Sequence, residues 1–311
     1  MTESVPDCWN CSQKDKLYLL TWTTTPWSIV ANKAVAFKPG APYVLLKDNH
    51  GDKYILAQDL LEKSEEIREI FSGKFTILQT FQAEQVLNQV KYRHPLDHES
   101  VNNMYPGSHV TLEQGTGLVH TAPAHGQEDY LLGLQHNLDL SCPVNELGQY
   151  DCSVNENLRG LEVLSRGTLK VLELLHDQDA ILKQSKFIHS YPYDWRTKKP
   201  VILRGSKQWF MDTGSLQARA IEFLKHHIQI EPKSMSKAFE SVLQNRPYWC
   251  ISRQRVWGVP IPVFYSKDDA KQDAITNQDI IAKLCDLIDK TGSIDFWWSM
   301  SEKEILKGTF V

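Results

Sequence analysis

Gly115-Thr116-Gly117-Leu118-Val119-His120-Thr121-Ala122-Pro123-Ala124-His125-Gly126-Gln127-Glu128-Asp129-Tyr130 is the stretch on which the fold reading turns. Residues 117–121 read as a short strand of β-formers, and the Pro/Gly loop behind it stops the strand. A helix starts near Gln127, where Tyr130, Leu131, Leu132 and Leu134 recur at helical spacing. The strand delivers His120 to the loop, and Asp129 sits in the first turn of the helix. Asp129 there can accept hydrogen bonds or pair with a cation. Taken alone, each residue also has a plainer role: Asp129 complements the helix dipole, and His120 is a satisfied core histidine.

Upstream, short β-rich runs at 17–22, 42–47, 53–57 and 74–81 alternate with turns such as Pro39-Gly40 and Asn49-His50-Gly51. The first ends in Thr21-Trp22-Thr23-Thr24-Thr25-Pro26-Trp27-Ser28, with Asn32 just beyond. Pro26 stops the strand, so a row of hydroxyls falls where a strand enters a loop. An ordinary threonine-rich edge explains the run equally well. Downstream, helices are expected at 160–175, 215–227, 236–244 and 278–289, and a short strand at 260–265. The order is a β-rich block, then a mixed and helical block, then a strand and a helix.

The bulk composition is that of an ordinary globular chain, with 41 % apolar and 23 % charged residues. Its 311 residues suit two or three modules, and no run of 18 apolar residues is present to span a membrane. A net charge of −4 hides a local basic excess at 183–207, where Lys198, Lys199 and Arg204 are interleaved with Tyr191, Tyr193 and Trp195. That mixture suits phosphate contact and base stacking, or a solvated basic face. The six cysteines are scattered, which is no disulfide framework. Cys8-Trp9-Asn10-Cys11 has zinc-ligand spacing but lacks a second pair, so no metal site is assigned.

A third stretch, Arg246-Pro247-Tyr248-Trp249-Cys250-Ile251-Ser252-Arg253-Gln254-Arg255-Val256-Trp257-Gly258-Val259-Pro260-Ile261-Pro262, suggests phosphate or adenosine contact, or a surface salt-bridge cluster. The three stretches, in this order, resemble the connective insertion of isoleucyl-tRNA synthetases over nearly the whole chain. Valyl and leucyl relatives typically carry Thr-Thr-Arg-Pro where this chain has Thr23-Thr24-Thr25-Pro26, and Ala-His-Asp where it has Ala124-His125-Gly126. The stretch from Tyr191 to Pro200 is similar to the mitochondrial form of animals, with a bacterial protein as the alternative. Lys233-Ser234-Met235-Ser236-Lys237 looks like the family's KMSKS loop but precedes Trp257 to Pro262 instead of following it, so it is read as a helix start.

The resemblance implies a mixed α/β chain: a β-rich, barrel-like editing domain with peripheral helices and a short piece returning toward a Rossmann catalytic domain. It places a leading linker at 1–15, the editing core at 16–190, a helical return segment at 191–248, and a segment leading back to the catalytic domain, with the start of a second insertion, at 249–311. It implies an editing hydrolase that cleaves Val-tRNA(Ile), working as a monomer in the mitochondrial matrix or the bacterial cytoplasm. A non-catalytic module binding the tRNA acceptor end is the other reading. Asp129 would bind the α-ammonium, and His120 would line the side-chain pocket and help to exclude isoleucine. Thr23, Thr24 and Thr25 would hold the adenosine, the ester and the attacking water. Trp27 and Asn32 would support the pocket, Tyr191 would contact the adenosine, and Lys198, Lys199 and Arg204 would contact tRNA. Editing would need no cofactor, whereas ATP and magnesium would serve only the full-length enzyme.

Overall fold

The computed structural model describes residues 2–4, 16–246, 248–253, 258–266 and 274–308. Cys8 and Cys11, Pro247 and residues 254–257 of the third stretch, and residues 267–273 and 309–311 of the last segment lie outside them. The chain divides into two compact units, Met1–Ser206 and Lys207–Val311.

In the first unit the elements run β1 (Thr2–Ser4), β2 (Leu17–Leu19), β3 (Ala34–Phe37), β4 (Pro42–Asp48), β5 (Lys53–Ala57), α1 (Gln58–Lys63), α2 (Glu65–Ile70), β6 (Phe75–Gln82), α3 (Ala83–Val86), β7 (Lys91–Arg93), β8 (Val101–Pro106), β9 (Leu118–Thr121), α4 (Gln127–Gln135) and α5 (Thr168–Asp177). They form two mixed sheets, ordered β1-β7-β8-β3-β9 and β2-β5-β4-β6. β3 runs parallel to β8 and antiparallel to β9, whereas β2 is parallel to β5. This is the mixed α/β class expected from the sequence.

One core joins the two sheets. Val44, Leu45 and Leu46 of β4 and Ile55, Leu56 and Ala57 of β5 are all buried, so both faces of these strands are covered. Such continuous apolar runs belong to strands packed on two sides. Phe37, Met104 and Leu118 of the other sheet pack into the same core, with Leu60 and Leu61 of α1. A second core gathers Trp27, Tyr150, Val163, Val171 and Leu175, and Tyr150 donates its hydroxyl proton to Trp27 O at 2.6 Å.

The structure corrects several boundaries. β2 stops at Leu19 instead of Trp22, since after Leu20 N donates to Ile55 O the chain leaves the sheet. The 58–70 region is helical, as two six-residue helices. Over 160–175 a single π-helical turn (Val163–Gly167) precedes α5. The first compact unit extends to Ser206. Leu203 O accepts from His125 Nδ1 at 3.0 Å, Arg204 Nε donates to Val144 O at 2.6 Å, and Gly205 N donates to Ala124 O at 2.7 Å. These bonds hold residues 203–205 to that unit.

The second unit contains β10 (Phe210–Asp212), α6 (Gly214–His227), α7 (Ser236–Gln244), β11 (Tyr248–Cys250), β12 (Phe264–Tyr265), β13 (Ala274–Ile275), α8 (Gln278–Thr291), α9 (Phe296–Ser299) and α10 (Glu302–Ile305). β10 pairs with β11 and β12 with β13, both antiparallel. The expected 260–265 strand shrinks to two residues, because Pro260 and Pro262 have no N–H to give a ladder. The helix start read at 233–237 is α7, which begins at Ser236 behind Met235 without a side-chain cap. Ile280, Leu284, Phe296 and Ile305 form this unit's core. Among the described residues, no helix is long and apolar enough to cross a membrane.

Candidate functional site

A cavity of about 350 Å³ opens in the first unit, and its wall includes Thr23, Thr24, Thr25, His120 and Asp129. These residues come from segments that are distant in sequence. Between β2 and β3 the chain makes a 3-10 helix, Pro26–Ala31, with Pro at its first turn. Proline's fixed φ suits that position, where an amide hydrogen would have no partner in the helix. The helix turns the threonine run toward the cavity and passes the chain into β3. In β3, Val35 lies opposite His120 of β9. Residues about a hundred positions apart thus meet through one strand pairing.

Hydrogen bonds connect the wall. Thr25 N donates to Thr23 Oγ1 at 3.1 Å, and Ser28 Oγ donates to Thr25 O at 2.8 Å. Ser28 Oγ also lies 3.1 Å from His120 Nε2, and Asn32 Nδ2 lies 2.8 Å from His120 Nδ1. Burial, aided by the His94 and His125 imidazoles, pushes the pKa of His120 down to about 3. The ring is therefore neutral at any working pH.

Asp129 reaches the cavity from the first turn of α4, where its Oδ2 accepts from Ala122 N at 2.9 Å. A Cβ at Gly126 would come within 2.9 Å of that Oδ2, so glycine leaves room for the carboxylate to fold back. Burial raises the pKa of Asp129, the Ala122 hydrogen bond and His109 oppose the rise, and Glu128 adds to it. A carboxylate held in this state gains by pairing with a cation. Together, hydroxyls, one carboxylate and a neutral imidazole suit a ligand that carries an ammonium group and several hydrogen-bonding oxygens.

The other expected residues fall elsewhere. Trp27 and Asn32 are 5 % and 6 % exposed and lie behind the wall rather than on it. Trp27 packs edge-on against His125, with ring centroids 4.8 Å apart. Tyr191 does not line the cavity. It lies in a row of rings that starts at Trp22, a wall residue, continues through Phe187 and His189, and runs on from Tyr191 to Tyr193. Lys198 and Lys199 are exposed on the turn between Tyr193 and Pro200, whereas Arg204 is tied to Val144 O. Among the described residues no group of three His, Cys, Asp or Glu side chains is arranged to hold a metal.

The sequence reading passed over Ser28, which lines the cavity, and Tyr92 and Asn102, which hold it from behind. Ser28 had a local signal, three residues after Thr25 across a proline-started turn. Tyr92 and Asn102 had none, since only the β7–β8–β3 arrangement brings them to Asn32.

His94 adds a pH dependence. Its Nε2 donates to Ile29 O, and its Nδ1 accepts from Leu96 N and Asp97 N, so the fold requires the neutral ring. Burial lowers the pKa of His94, as it does those of His120 and His125. Groups whose pKa falls on folding contribute stability that is present above the unfolded value of 6.5 and lost as pH falls below it. Asp129 works in the opposite sense, but as one group against three. The midpoint of thermal unfolding should fall steeply from about pH 7 to pH 5, at up to roughly 1.4 kcal/mol per pH unit for each histidine. A flat midpoint across that range would show that these rings accept protons in the folded chain.

The family model for tRNA synthetases class I (I, L, M and V) matches residues 17–310. The mitochondrial isoleucine--tRNA ligase of Macaca fascicularis is 42 % identical over 288 residues, which cover 92 % of this chain and 28 % of that protein. The isoleucine--tRNA ligase of Prochlorococcus marinus (strain MIT 9515) is 38 % identical over 295 residues, covering 95 % of this chain and 30 % of that protein. The chain thus spans under a third of the length of these relatives. The solved editing domain of the P. falciparum cytosolic leucyl-tRNA synthetase is 13 % identical, with a TM-score of 0.42 over 54 % of this chain and 80 % of that one.

Proposed function

The chain belongs to the class I tRNA synthetase family, and from that premise we propose that its cavity hydrolyses the ester of tRNA(Ile) wrongly charged with valine or a similar small amino acid. The observation that carries the reading is the meeting of Thr23, Thr24, Thr25, His120 and Asp129 around one cavity. Such a step answers a physical limit: a lone methylene separates two ligands by only ~1–3 kcal/mol, a magnitude for which this enzyme family is itself the standard example. A second pocket that excludes the larger amino acid multiplies the selectivity.

In the proposed mechanism Asp129 binds the α-ammonium, and the threonine hydroxyls hold the terminal ribose and a water. The water oxygen attacks the carbonyl carbon, the acyl C–O bond breaks, and the ribose oxygen leaves with a proton. An aminoacyl ester is already activated, so positioning does most of the catalysis. His120, neutral and with both nitrogens engaged, is not the base. No cofactor is proposed for this step; ATP and magnesium would serve amino-acid activation, whose motifs are not in this sequence. The exposed Lys198 and Lys199 are proposed as phosphate contacts near the tRNA end. The mitochondrial matrix is the proposed compartment, supported by 42 % identity to a mitochondrial relative against 38 % to a bacterial one.

The test is deacylation of Val-tRNA(Ile) beside Ile-tRNA(Ile) by the purified chain. The valyl ester should be cleaved much faster than its uncatalysed rate and the isoleucyl ester spared. Binding of both without cleavage of either would leave a tRNA-docking module instead.

A further inference from the structure

In and behind the cavity wall, five side chains are linked by hydrogen bonds. Tyr92 OH donates to Asn32 Oδ1 at 2.5 Å, and Asn102 Nδ2 donates to the same oxygen at 3.3 Å. Two donors aimed at one atom identify it as the amide oxygen and fix which way the Asn32 amide faces. Its Nδ2 then carries two hydrogens. One goes to Ala34 O at 2.8 Å, and the other points at His120 Nδ1 at 2.8 Å. That ring nitrogen must be bare. In a neutral imidazole the hydrogen then sits on Nε2, which faces Ser28 Oγ at 3.1 Å. Ser28 is free to accept, because its own proton goes to Thr25 O at 2.8 Å. The chain closes on backbone carbonyls of the segment around the 3-10 helix, at Ala34 O and at Thr25 O; the Thr25 hydroxyl lies 3.3 Å from Ser28 Oγ, farther than the carbonyl that takes the Ser28 proton.

A ring with both nitrogens engaged has only carbon left to offer a ligand. We propose that Tyr92 and Ser28 are positioning residues that lock His120 in one tautomer and one orientation, so that its face toward the cavity is a rigid carbon wall that selects by size. The inference rests on the hydrolytic reading and on the expectation that His120 helps to exclude isoleucine, and it names what holds that ring in place. A wall of this kind discriminates only while it cannot move, since a ring that swings aside by the width of a methylene admits the larger side chain. Tyr92 is 5 % exposed, and phenylalanine there keeps the packed ring while removing the one hydroxyl that fixes the Asn32 oxygen.

Two measurements on the 311-residue chain test the lock. In histidine ¹⁵N spectra, the His120 signal, assigned by its loss in His120→Gln, should show a bare Nδ1 and a protonated Nε2 at neutral pH. In deacylation assays, Tyr92→Phe and Ser28→Ala should each raise the ratio of isoleucyl- to valyl-ester hydrolysis by about tenfold, the scale of one methylene's discrimination. A rise in either variant supports the proposal, so an unfolded Tyr92→Phe leaves Ser28→Ala to decide it. A protonated Nδ1, or an unchanged ratio in both variants, overturns it. A wild-type chain that cleaves neither ester sinks the hydrolytic reading instead, and the spectrum then decides whether the lock exists.

Discussion

Replacing Asp129 by asparagine is expected to slow hydrolysis of the valyl ester by about one to two orders of magnitude, the loss of one charge-assisted contact to a buried cation, while the melting midpoint holds or rises. The two halves of this result follow from the same burial. In the folded chain burial raises the carboxyl pKa above its unfolded value, so the protonated form is the one the fold prefers. Stability from that preference is present at low pH and is lost as pH rises through the folded pKa. At neutral pH the ionised group therefore costs stability, and an amide of the same shape removes the cost. Its oxygen can still accept from Ala122 N, as Asp129 Oδ2 does. In the wild type the apparent KM should rise as pH falls through the raised pKa, because the ammonium loses its counter-charge; in Asp129→Asn it should be flat. Thermal melts and a pH series of kcat and KM read both. A midpoint several degrees lower, with activity lost in proportion, would make Asp129 a structural residue and remove it from the site.

The largest effect on stability is expected at Gly117. Its φ is +78°, and an added Cβ would lie 2.4 Å from Ala57 Cβ. This is where the chain entering β9 meets β5. Thr116 O accepts from Ala57 N at 2.9 Å, and Tyr43 donates its hydroxyl proton to Gly117 O. Gly117→Ala meets both a backbone penalty of about 1–2 kcal/mol and overpacking of about 1–3 kcal/mol. Against a typical domain stability of about 5–15 kcal/mol that is a large fraction. Gly40→Ala is the matched control, since Gly40 has φ +72° with nothing within 4 Å of the added carbon. Urea titrations should place Gly117→Ala well below Gly40→Ala. Equal losses would mean that the two sheets can part at Ala57 without cost.

Some of this architecture was legible in the residues and some was not. The bounds of β5 and of α7 follow from local pattern: β5 is a run of β-formers behind the Asn49-His50-Gly51 turn, and α7 a run of helix formers that stops at Asn245. β3 escaped notice: Ala34-Val35-Ala36-Phe37 is wholly buried, so it has no polar alternation to announce a strand. The helices α1 and α2 are each shorter than the window in which helical periodicity can be read. In the site, the threonine run, His120 and Asp129 each had an ordinary alternative role, and no local signal shows that they share a cavity. That fact belongs to the register of β3 with β9. The same register places Asn32 against His120, while the parallel pairing of β3 with β8 brings Asn102 within reach.

The strap formed by residues 203–205 has a mechanical consequence. It is fastened to Ala124, His125 and Val144, and Ala124 stands two residues from Ala122, whose N–H holds Asp129. The loop between β9 and α4 is therefore clamped from two sides, by the Asp129 carboxylate at Ala122 and by the strap at Ala124 and His125, rather than hung from one end.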